Sequence, residues 1–168
     1  MPNPVKMLFF LLLLLTGNAA NALPEDREKP IELSADSADI SQLAHHGEYV
    51  GNVSLDQGSM HLRAAKAITE GNKDNKLILA IAQGSEKQQA HCWTLTAVDK
   101  PPLHAYADTI RYLPEQHLVE LIGKARVVQG NNSFSAPKIS YDTLKQHVLS
   151  KSDGKARTTI IIHPEKKL

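Results

Sequence analysis

Gly51-Asn52-Val53-Ser54-Leu55-Asp56-Gln57-Gly58 decides the fold, because it recurs 72 residues later as Gly123-Lys124-Ala125-Arg126-Val127-Val128-Gln129-Gly130. The same spacing relates Ala35-Asp36 to Ala107-Asp108, and Gly154-Lys155-Ala156-Arg157 is a shorter echo of the second copy. Such a repeat predicts a stack of similar antiparallel hairpins, none of which can cover its own apolar face. Stacking buries that face continuously, so we expect an elongated body.

The residues around the repeats alternate between apolar and polar, which is the period of a β-strand. The alternation runs through Val53-Ser54-Leu55-Asp56 and Met60-His61-Leu62-Arg63. Residues 77–82 are continuously apolar, which is typical of a strand buried on both faces, and residues 158–162 are β-branched. Residues 35–43 fit a turn of helix or a strand equally well. The sequence therefore predicts an all-β fold.

Short turn signals separate these runs, as in antiparallel sandwiches, barrels and rolls. Glycine at the same point of each repeat predicts a bulge or bend that curls the sheet into a roll with an apolar interior. The turn signals are Gln57-Gly58, Glu70-Gly71-Asn72, Gln83-Gly84, Pro101-Pro102, Gly130-Asn131-Asn132 and Asp153-Gly154.

The first 22 residues are typical of a cleavable secretion signal. Lys6 precedes an apolar run over residues 7–15, and Ala20-Asn21-Ala22 is an A-x-A cleavage site. The run is shorter than the roughly twenty residues that span a bilayer, so a retained membrane anchor is the weaker alternative. The predicted organisation is a signal peptide (1–22), a flexible lead-in (23–30), one β domain (31–164) and a tail (165–168).

The charge balance and the cysteine content exclude some kinds of partner and of covalent cross-link. Loss of Lys6 would leave 18 basic and 18 acidic residues, and this balance argues against a nucleic-acid partner. Cys92 is the only cysteine, so no internal disulfide can form. It is interpreted as a small core residue, with an intermolecular disulfide or a reactive thiol as alternatives.

No pattern of residues points to catalysis, a cofactor or a metal. The chain has no G-x-S-x-G elbow, no P-loop and no dinucleotide fingerprint. His45 and His46 are adjacent, as are His91 and Cys92, and neighbours on a strand point to opposite faces and chelate poorly. We therefore expect a protein that is not an enzyme and has no cofactor and no metal site.

A set of short motifs extends from residue 30 to residue 164. They are, in order, Pro30-Ile31-Glu32-Leu33-Ser34-Ala35-Asp36, Tyr49-Val50-Gly51-Asn52-Val53, Ala107-Asp108-Thr109-Ile110-Arg111-Tyr112, Leu121-Ile122-Gly123-Lys124-Ala125, Lys138-Ile139-Ser140-Tyr141 and Gly154-Lys155-Ala156-Arg157. Together with the signal, their order and spacing resemble the LptA family of lipopolysaccharide-export periplasmic proteins, which has the OstA-like fold. Cys92 and Trp93 are outside that pattern.

The resemblance implies an elongated antiparallel β-jellyroll of about sixteen strands. It implies an interior that holds the lipid A acyl chains of lipopolysaccharide, and a location in the periplasm. Such rolls would join end to end into a bridge from the inner to the outer membrane. The implied partners are lipopolysaccharide, further copies of the chain, and the inner- and outer-membrane lipopolysaccharide-transport proteins.

A lipid carrier needs a continuous apolar surface, because exposing acyl chain to water costs about 0.8 kcal/mol per methylene. The same apolar side chains could instead form only a packed core. The residues assigned to a lipid-binding groove are Ile31, Leu33, Val53, Leu55, Met60, Leu62, Leu79, Ile81, Ile110, Val127, Phe134 and Ile139.

The first and last strands are expected to form the edges at which successive molecules pair by strand addition. The first is preceded only by a charged lead-in, and the last is β-branched and uncharged. The residues assigned to these assembly edges are Ile31, Leu33, Thr159, Ile160, Ile161 and Ile162.

The sequence is also compatible with three other functions, the third of which is carbohydrate binding. One is a periplasmic adaptor that binds only protein, and another is the periplasmic domain of the inner-membrane partner of the same transport system. A carbohydrate-binding β-solenoid would normally display exposed aromatic platforms, and the chain has only one Trp and four Tyr.

The predicted signal gives the first test. We expect the mature protein to begin at Leu23 and to remain in solution without detergent, because cleavage follows Ala22. N-terminal sequencing and intact mass measure this directly. Retention of residues 1–22 in a membrane fraction would favour the inner-membrane partner instead.

Overall fold

Two long β-hairpins organise the fold, and each contains one copy of the repeat. The computed structural model describes residues 29–142, 144–145 and 147–164, and it contains twelve strands within them. Every pairing between strands is antiparallel, so the all-β prediction is confirmed. The strands are β1 (Glu32–Ser34), β2 (Ser37–Ser41), β3 (His46–Gln57), β4 (Met60–Gly71), β5 (Leu77–Gln83), β6 (Ala90–Thr94), β7 (Leu103–Ala107), β8 (Thr109–Leu113), β9 (Leu118–Gln129), β10 (Asn132–Asp142), β11 (His147–Lys151) and β12 (Thr159–Ile161).

The two long hairpins, β3–β4 and β9–β10, are equivalent halves of an internal duplication. Strands β3 and β9 are each twelve residues long and start 72 residues apart, as the repeat predicts. Gly58 and Gly130, both with a φ of 56°, make the two-residue turns that close these hairpins. The echo at Gly154 differs, because that glycine lies in the connection between β11 and β12 and not in a strand.

Each long hairpin bends in the middle, where the repeat places a glycine. Gly51 and Gly123 have φ values of 83° and 81°, a region that residues with a Cβ rarely adopt. The register with the partner strand shifts next to each glycine, so both positions are β-bulges. The predicted bend is therefore confirmed in both copies.

An aspartate fills the space beside each bend glycine. The backbone N–H of Asp36 donates to the carbonyl of Gly51 at 2.8 Å, and that of Asp108 donates to Gly123 at 2.9 Å. A Cβ on either glycine would lie 2.9 Å from the aspartate Cβ, closer than two such atoms can approach. The Asp–Gly pair therefore explains why both residue types recur at the same spacing.

The bends divide the strands into two half-sheets of eight segments each. The first half-sheet contains, in order, β1, the end of β3, the start of β4, β6, β7, the end of β9, the start of β10 and β12. The second contains β2, the start of β3, the end of β4, β5, β8, the start of β9, the end of β10 and β11. At about 4.8 Å between strands, each half-sheet is roughly 34 Å long. This is the elongated jellyroll that the family resemblance implies.

The core lies between the half-sheets and is built largely from small side chains. Ala105 and Ala90 are fully buried, and they pack in one cluster with Ile110, Leu121 and Ile139 from the second half-sheet. Small residues at these positions let the two half-sheets approach closely, as in any densely packed interior.

Strand β5 forms as predicted, but it is not buried on both faces: Ala82 is its only buried residue and Leu77 is 42% exposed. The ambiguous segment over residues 35–43 contains strand β2 and no helical turn.

The predicted signal peptide, residues 23–28 of the lead-in and the tail lie outside the described residues. Within the described part of the chain, no helix is long and apolar enough to cross a membrane.

A pair of glycine substitutions tests the bend. Gly123→Ala should lower the free energy of unfolding by roughly 3 kcal/mol, because the new methyl group meets Asp108 as well as an unfavourable φ. Gly154→Ala is the matched control, since it has a φ of 82° but nothing within 4 Å of the added Cβ, and it should cost about 1 kcal/mol. Urea unfolding measures both, and equal losses would contradict the role of the Asp–Gly contact.

Candidate functional site

An uninterrupted apolar row crosses the inner face of the first half-sheet from one edge to the other. Its members are successive cross-strand partners, and directly paired residues lie on the same face of a sheet. The row begins on β1, ends on β12 and contains no charged or polar side chain other than a thiol. In order, it is Leu33, Leu55, Leu62, Cys92, Ala105, Val127, Phe134 and Ile160.

The inner face of the second half-sheet carries a facing row. It is apolar over most of its length, and its five central residues, from Ala67 to Ile139, are buried. The row ends at the polar Ser150 on β11. In order, it is Ala38, Tyr49, Ala67, Ala82, Ile110, Leu121, Ile139 and Ser150.

The interior is closed in the middle and exposed at both ends. Val127 is 2% exposed at the centre of the first row, whereas Ile160 at its end is 57% exposed. At the opposite end of the molecule, Ile31 and Ile40 are 62% and 61% exposed. The apolar interior therefore continues to the two terminal edges, where large apolar side chains face solvent.

These observations agree with a comparison to known proteins. Residues 32–147 match the family described as "LptA/(LptD N-terminal domain) LPS transport protein". The chain belongs to this family. The resemblance drawn from the sequence motifs is thereby confirmed.

Similar proteins extend over nearly the whole chain. Lipopolysaccharide export system protein LptH of Pseudomonas aeruginosa is 33% identical, and the alignment covers 98% of this chain and 97% of that protein. Lipopolysaccharide export system protein LptA of Escherichia coli K12 is 26% identical over 89% of this chain and 80% of that protein. A crystal structure of LptH, described as the LptA-homologous periplasmic component of the lipopolysaccharide transport device of P. aeruginosa, superposes with a TM-score of 0.69. It has 32% sequence identity and covers 84% of this chain and all of that one.

Most of the residues predicted to form the groove lie on the inner faces of this LptA-family roll. Leu33, Leu55, Leu62, Val127 and Phe134 form much of the first row. Four further members lie on the same inner faces, either buried or packed against the core: Val53, Met60, Ile110 and Ile139. Ile31 precedes β1, where its side chain is largely exposed. Whether these residues contact lipid stays a prediction.

Leu79 and Ile81 are the two exceptions, and their assignment to the groove is wrong. Ile81 pairs with Ile68 and Arg111, whereas its neighbour Ala82 belongs to the interior row. Because strand side chains alternate between faces, Leu79 and Ile81 lie on the outer face of the second half-sheet. The uninterrupted apolar run of β5 concealed this alternation.

Sequence reasoning also missed several interior residues. Ala67, Ala82, Ala105 and Tyr49 occupy the rows, but alanines are weak signals of a groove and were not assigned to it. Parity along β4 is no guide either, because Ala64 and Ala67 both face inward although they are three residues apart. Large apolar residues are the usual sequence signal of a groove, whereas small residues set the spacing between the half-sheets.

Cys92 lies within the first interior row, which confirms its interpretation as a core residue. Its side chain is buried, and this burial raises the pKa of the thiol to about 12. The thiol is therefore protonated at neutral pH, and a protonated buried thiol is a poor nucleophile and metal ligand. No group of three or more His, Cys, Asp or Glu side chains suited to a metal ion occurs among the described residues.

The outer face of the first half-sheet carries a ladder of stacked rings. His91 stacks on Tyr106 with ring centres 4.2 Å apart and on Trp93 at 4.6 Å, and His61 stacks on Trp93 at 4.9 Å. The ring of His104 completes the ladder through a hydrogen bond to His91 of 2.9 Å. Because the faces of these rings contact one another, they do not form the flat platform that a carbohydrate-binding surface would need.

This ring ladder predicts a specific loss of stability in acid. Burial, with the charges of His104 and Arg63, lowers the pKa of His91 from 6.5 to about 4. As the pH falls, His91 therefore takes up a proton in the unfolded chain before it does so in the folded protein. The stability that neutral His91 contributes is fully present above about pH 6.5 and is lost as the pH drops towards 4. The free energy of unfolding of His91→Gln should fall less between these values than that of the parent, as measured by urea unfolding. His147→Gln, at an exposed site on β11, controls for loss of an imidazole, and equal pH slopes for parent and His91→Gln would contradict the prediction.

Proposed function

We propose that this protein is a periplasmic lipopolysaccharide carrier that shields the acyl chains of lipid A between its two half-sheets. Its role is to bind and pass on the lipid during transport from the inner to the outer membrane, with no catalytic step. The observation that carries the proposal is the apolar row from Leu33 to Ile160, which crosses all eight segments of the first half-sheet. A packed core alone does not require such a row to continue to two exposed edges.

The energetics favour an interior of this kind. Each methylene of an acyl chain costs about 0.8 kcal/mol to expose to water, so several chains together require continuous apolar contact. Within the roll, lipid would replace contacts between the facing half-sheets, whose shared core contains several alanines. This exchange of apolar for apolar contacts costs far less than exposure to water.

The similar proteins support the location and the substrate class. LptH and LptA are named as lipopolysaccharide export proteins, and LptH is described as a periplasmic component. The similarity to LptH extends over 98% of the chain and so includes most of the segment predicted as a signal peptide. This supports a periplasmic location for the mature protein.

The exposed ends of the roll support end-to-end assembly. Strands β1 and β2 form one end, and β11 and β12 form the other. The outer side of each end strand has no partner strand within the described chain, and unpaired strand edges are ready templates for strand addition. Pairing of unlike ends need not close, so it can extend as a filament. The same edges would dock the membrane-bound transport proteins.

The predicted edge residues fit this arrangement only in part. Ile160 and Ile161 lie on β12, whereas no feature of the sequence indicates that β11 is the equivalent edge of the second half-sheet. Leu149 on β11 is 48% exposed and adds to the apolar surface of this end. A joint through both half-sheets would align the interior rows of successive molecules.

A matched pair of substitutions tests the lipid site. Leu62→Gln places an amide in the interior row, and because an unpaired buried amide costs about 1–3 kcal/mol, lipopolysaccharide binding should weaken roughly tenfold or more. Ile81→Gln is the control, since Ile81 is also half-buried on a strand but faces outward, and binding should be unchanged. Fluorescence titration measures affinity, and circular dichroism confirms that both variants are folded. Unchanged binding in folded Leu62→Gln, Leu55→Gln and Phe134→Gln variants would favour the protein-only adaptor.

A proline substitution tests the assembly edge. Ile161→Pro removes a backbone N–H from β12 and should yield folded monomers that still bind lipid. Ile161→Ala keeps the N–H and should still self-associate. Because N–H groups alternate in direction along an edge strand, Ile160→Pro tests the neighbouring position in the same way. Light scattering against concentration measures assembly, and concentration-dependent oligomers of both proline variants would place the contact elsewhere.

A further inference from the structure

A cleft at the bend of the second repeat is not used by the function proposed above. It has a volume of about 740 Å³ and lies where β9 and β10 bend, beside the connection between β11 and β12. Five cationic side chains line this basic cleft: Lys124, Arg126, Lys138, Lys151 and Arg157. A cavity of this size is in the range of small-molecule binding sites.

The two carboxylates that line the basic cleft are held by uncharged donors. Asp108 accepts a hydrogen bond from Gln89 at 3.2 Å. Asp153 accepts from the backbone N–H groups of Ala156 and Lys155 at 2.8 and 2.9 Å, and these bonds keep the pKa of Asp153 below its usual value. Neither carboxylate forms an ion pair with a cation of the cleft among the described residues.

The cations of the cleft are therefore in excess. Lys138 is paired with Glu120, which also contacts Arg111 at 3.3 Å. The other four cations have no ion-pair partner among the described residues. The cleft thus combines several cationic donors with few competing anions, which is the composition that binds a phosphate group.

The duplication supplies an internal comparison. The equivalent cleft of the first repeat has a volume of about 440 Å³ and carries Asn52 and Ser54 where the basic cleft has Lys124 and Arg126. Its one lining cation, Arg63, is bound by a carboxylate 2.9 Å away. The backbone has the same left-handed conformation at this position in both repeats, with φ values of 47° at Asn52 and 48° at Lys124. The charge therefore belongs to this site and does not follow from the fold.

The floor of the basic cleft is part of the apolar interior. Ala125 and Ala136 line the cleft and also belong to the buried core between the half-sheets. A ligand held here would have an anionic group among the cations and an apolar part within reach of the interior. This is the chemistry of a phosphorylated lipid headgroup.

We infer that the basic cleft binds a phosphate group on the headgroup of the lipid whose acyl chains occupy the interior. The inference rests on the proposed function and adds a specificity to it: the carrier distinguishes phosphorylated from phosphate-free lipid. The cations would form charge-assisted hydrogen bonds to phosphate oxygens, with Arg126 suited to a bidentate contact. The rim of the cleft would then fix the headgroup while the interior holds the chains.

The test replaces the two cations by the residues of the first repeat. In the double variant Lys124→Asn with Arg126→Ser, asparagine suits the left-handed backbone at residue 124, so the protein should fold normally. The matched control is Lys73→Asn with Lys76→Ser, which removes the same charge from the exposed turn between β4 and β5. Affinities of the full-length mature protein are measured for diphosphoryl lipid A, for lipid A without phosphate, and for inorganic phosphate.

We expect the cleft variant to bind diphosphoryl lipid A roughly tenfold or more weakly than the parent, since hydrogen bonds to charged groups are worth about 1.5–3 kcal/mol. Binding of phosphate-free lipid A should be unchanged in both variants, and the control should match the parent throughout. Equal affinity of parent and cleft variant for diphosphoryl lipid A would overturn the cleft assignment alone. Binding of inorganic phosphate that weakens in the cleft variant, while the affinity for diphosphoryl lipid A stays the same, would point to a free-anion site and overturn the headgroup assignment. Failure of the parent to bind either lipid would instead overturn the proposed function.

Discussion

The close contact between an aspartate and a glycine at each bend is the constraint on which the rest of the structure depends. Asp36 meets Gly51 and Asp108 meets Gly123, with a backbone hydrogen bond from each aspartate to each glycine. Without a Cβ, the glycine adopts a positive φ and lets a strand leave one half-sheet and enter the other. Because both long hairpins bend at equivalent residues, the two half-sheets face each other and enclose one interior.

The interior and the edges follow from this arrangement. Antiparallel pairing aligns one inward residue from every strand segment, so the apolar pattern of short strands becomes a row that crosses the molecule. Buried alanines bring the half-sheets close together, while Ile160 and Ile40 leave apolar surface at the two ends. A roll of this design provides both a place for acyl chains and a surface on which the next molecule can continue that place.

Much of the fold was predictable from sequence because the repeat has a fixed spacing and the strands have a period of two. Gly51 and Gly123 were recognisable as bends, and the turns at Gly58 and Gly130 formed as predicted. The face of β5 was not predictable, since an uninterrupted apolar run conceals which side points inward. The basic cleft was also missed, because Lys124 and Arg157 are distant in sequence and come together only when the hairpins bend.

Photocrosslinking along the first half of β4 tests the central claim, that lipid lies between the half-sheets, most directly. A photoreactive residue is placed in turn at positions 60 to 64, and lipopolysaccharide is added to the folded protein. Side chains of Met60, Leu62 and Ala64 face inward, whereas those of His61 and Arg63 face outward, where they pair with the ring ladder on β6. The account predicts crosslinks at the three inward positions and none at the two outward ones. Crosslinks at the outward positions, or none at any position, would contradict it.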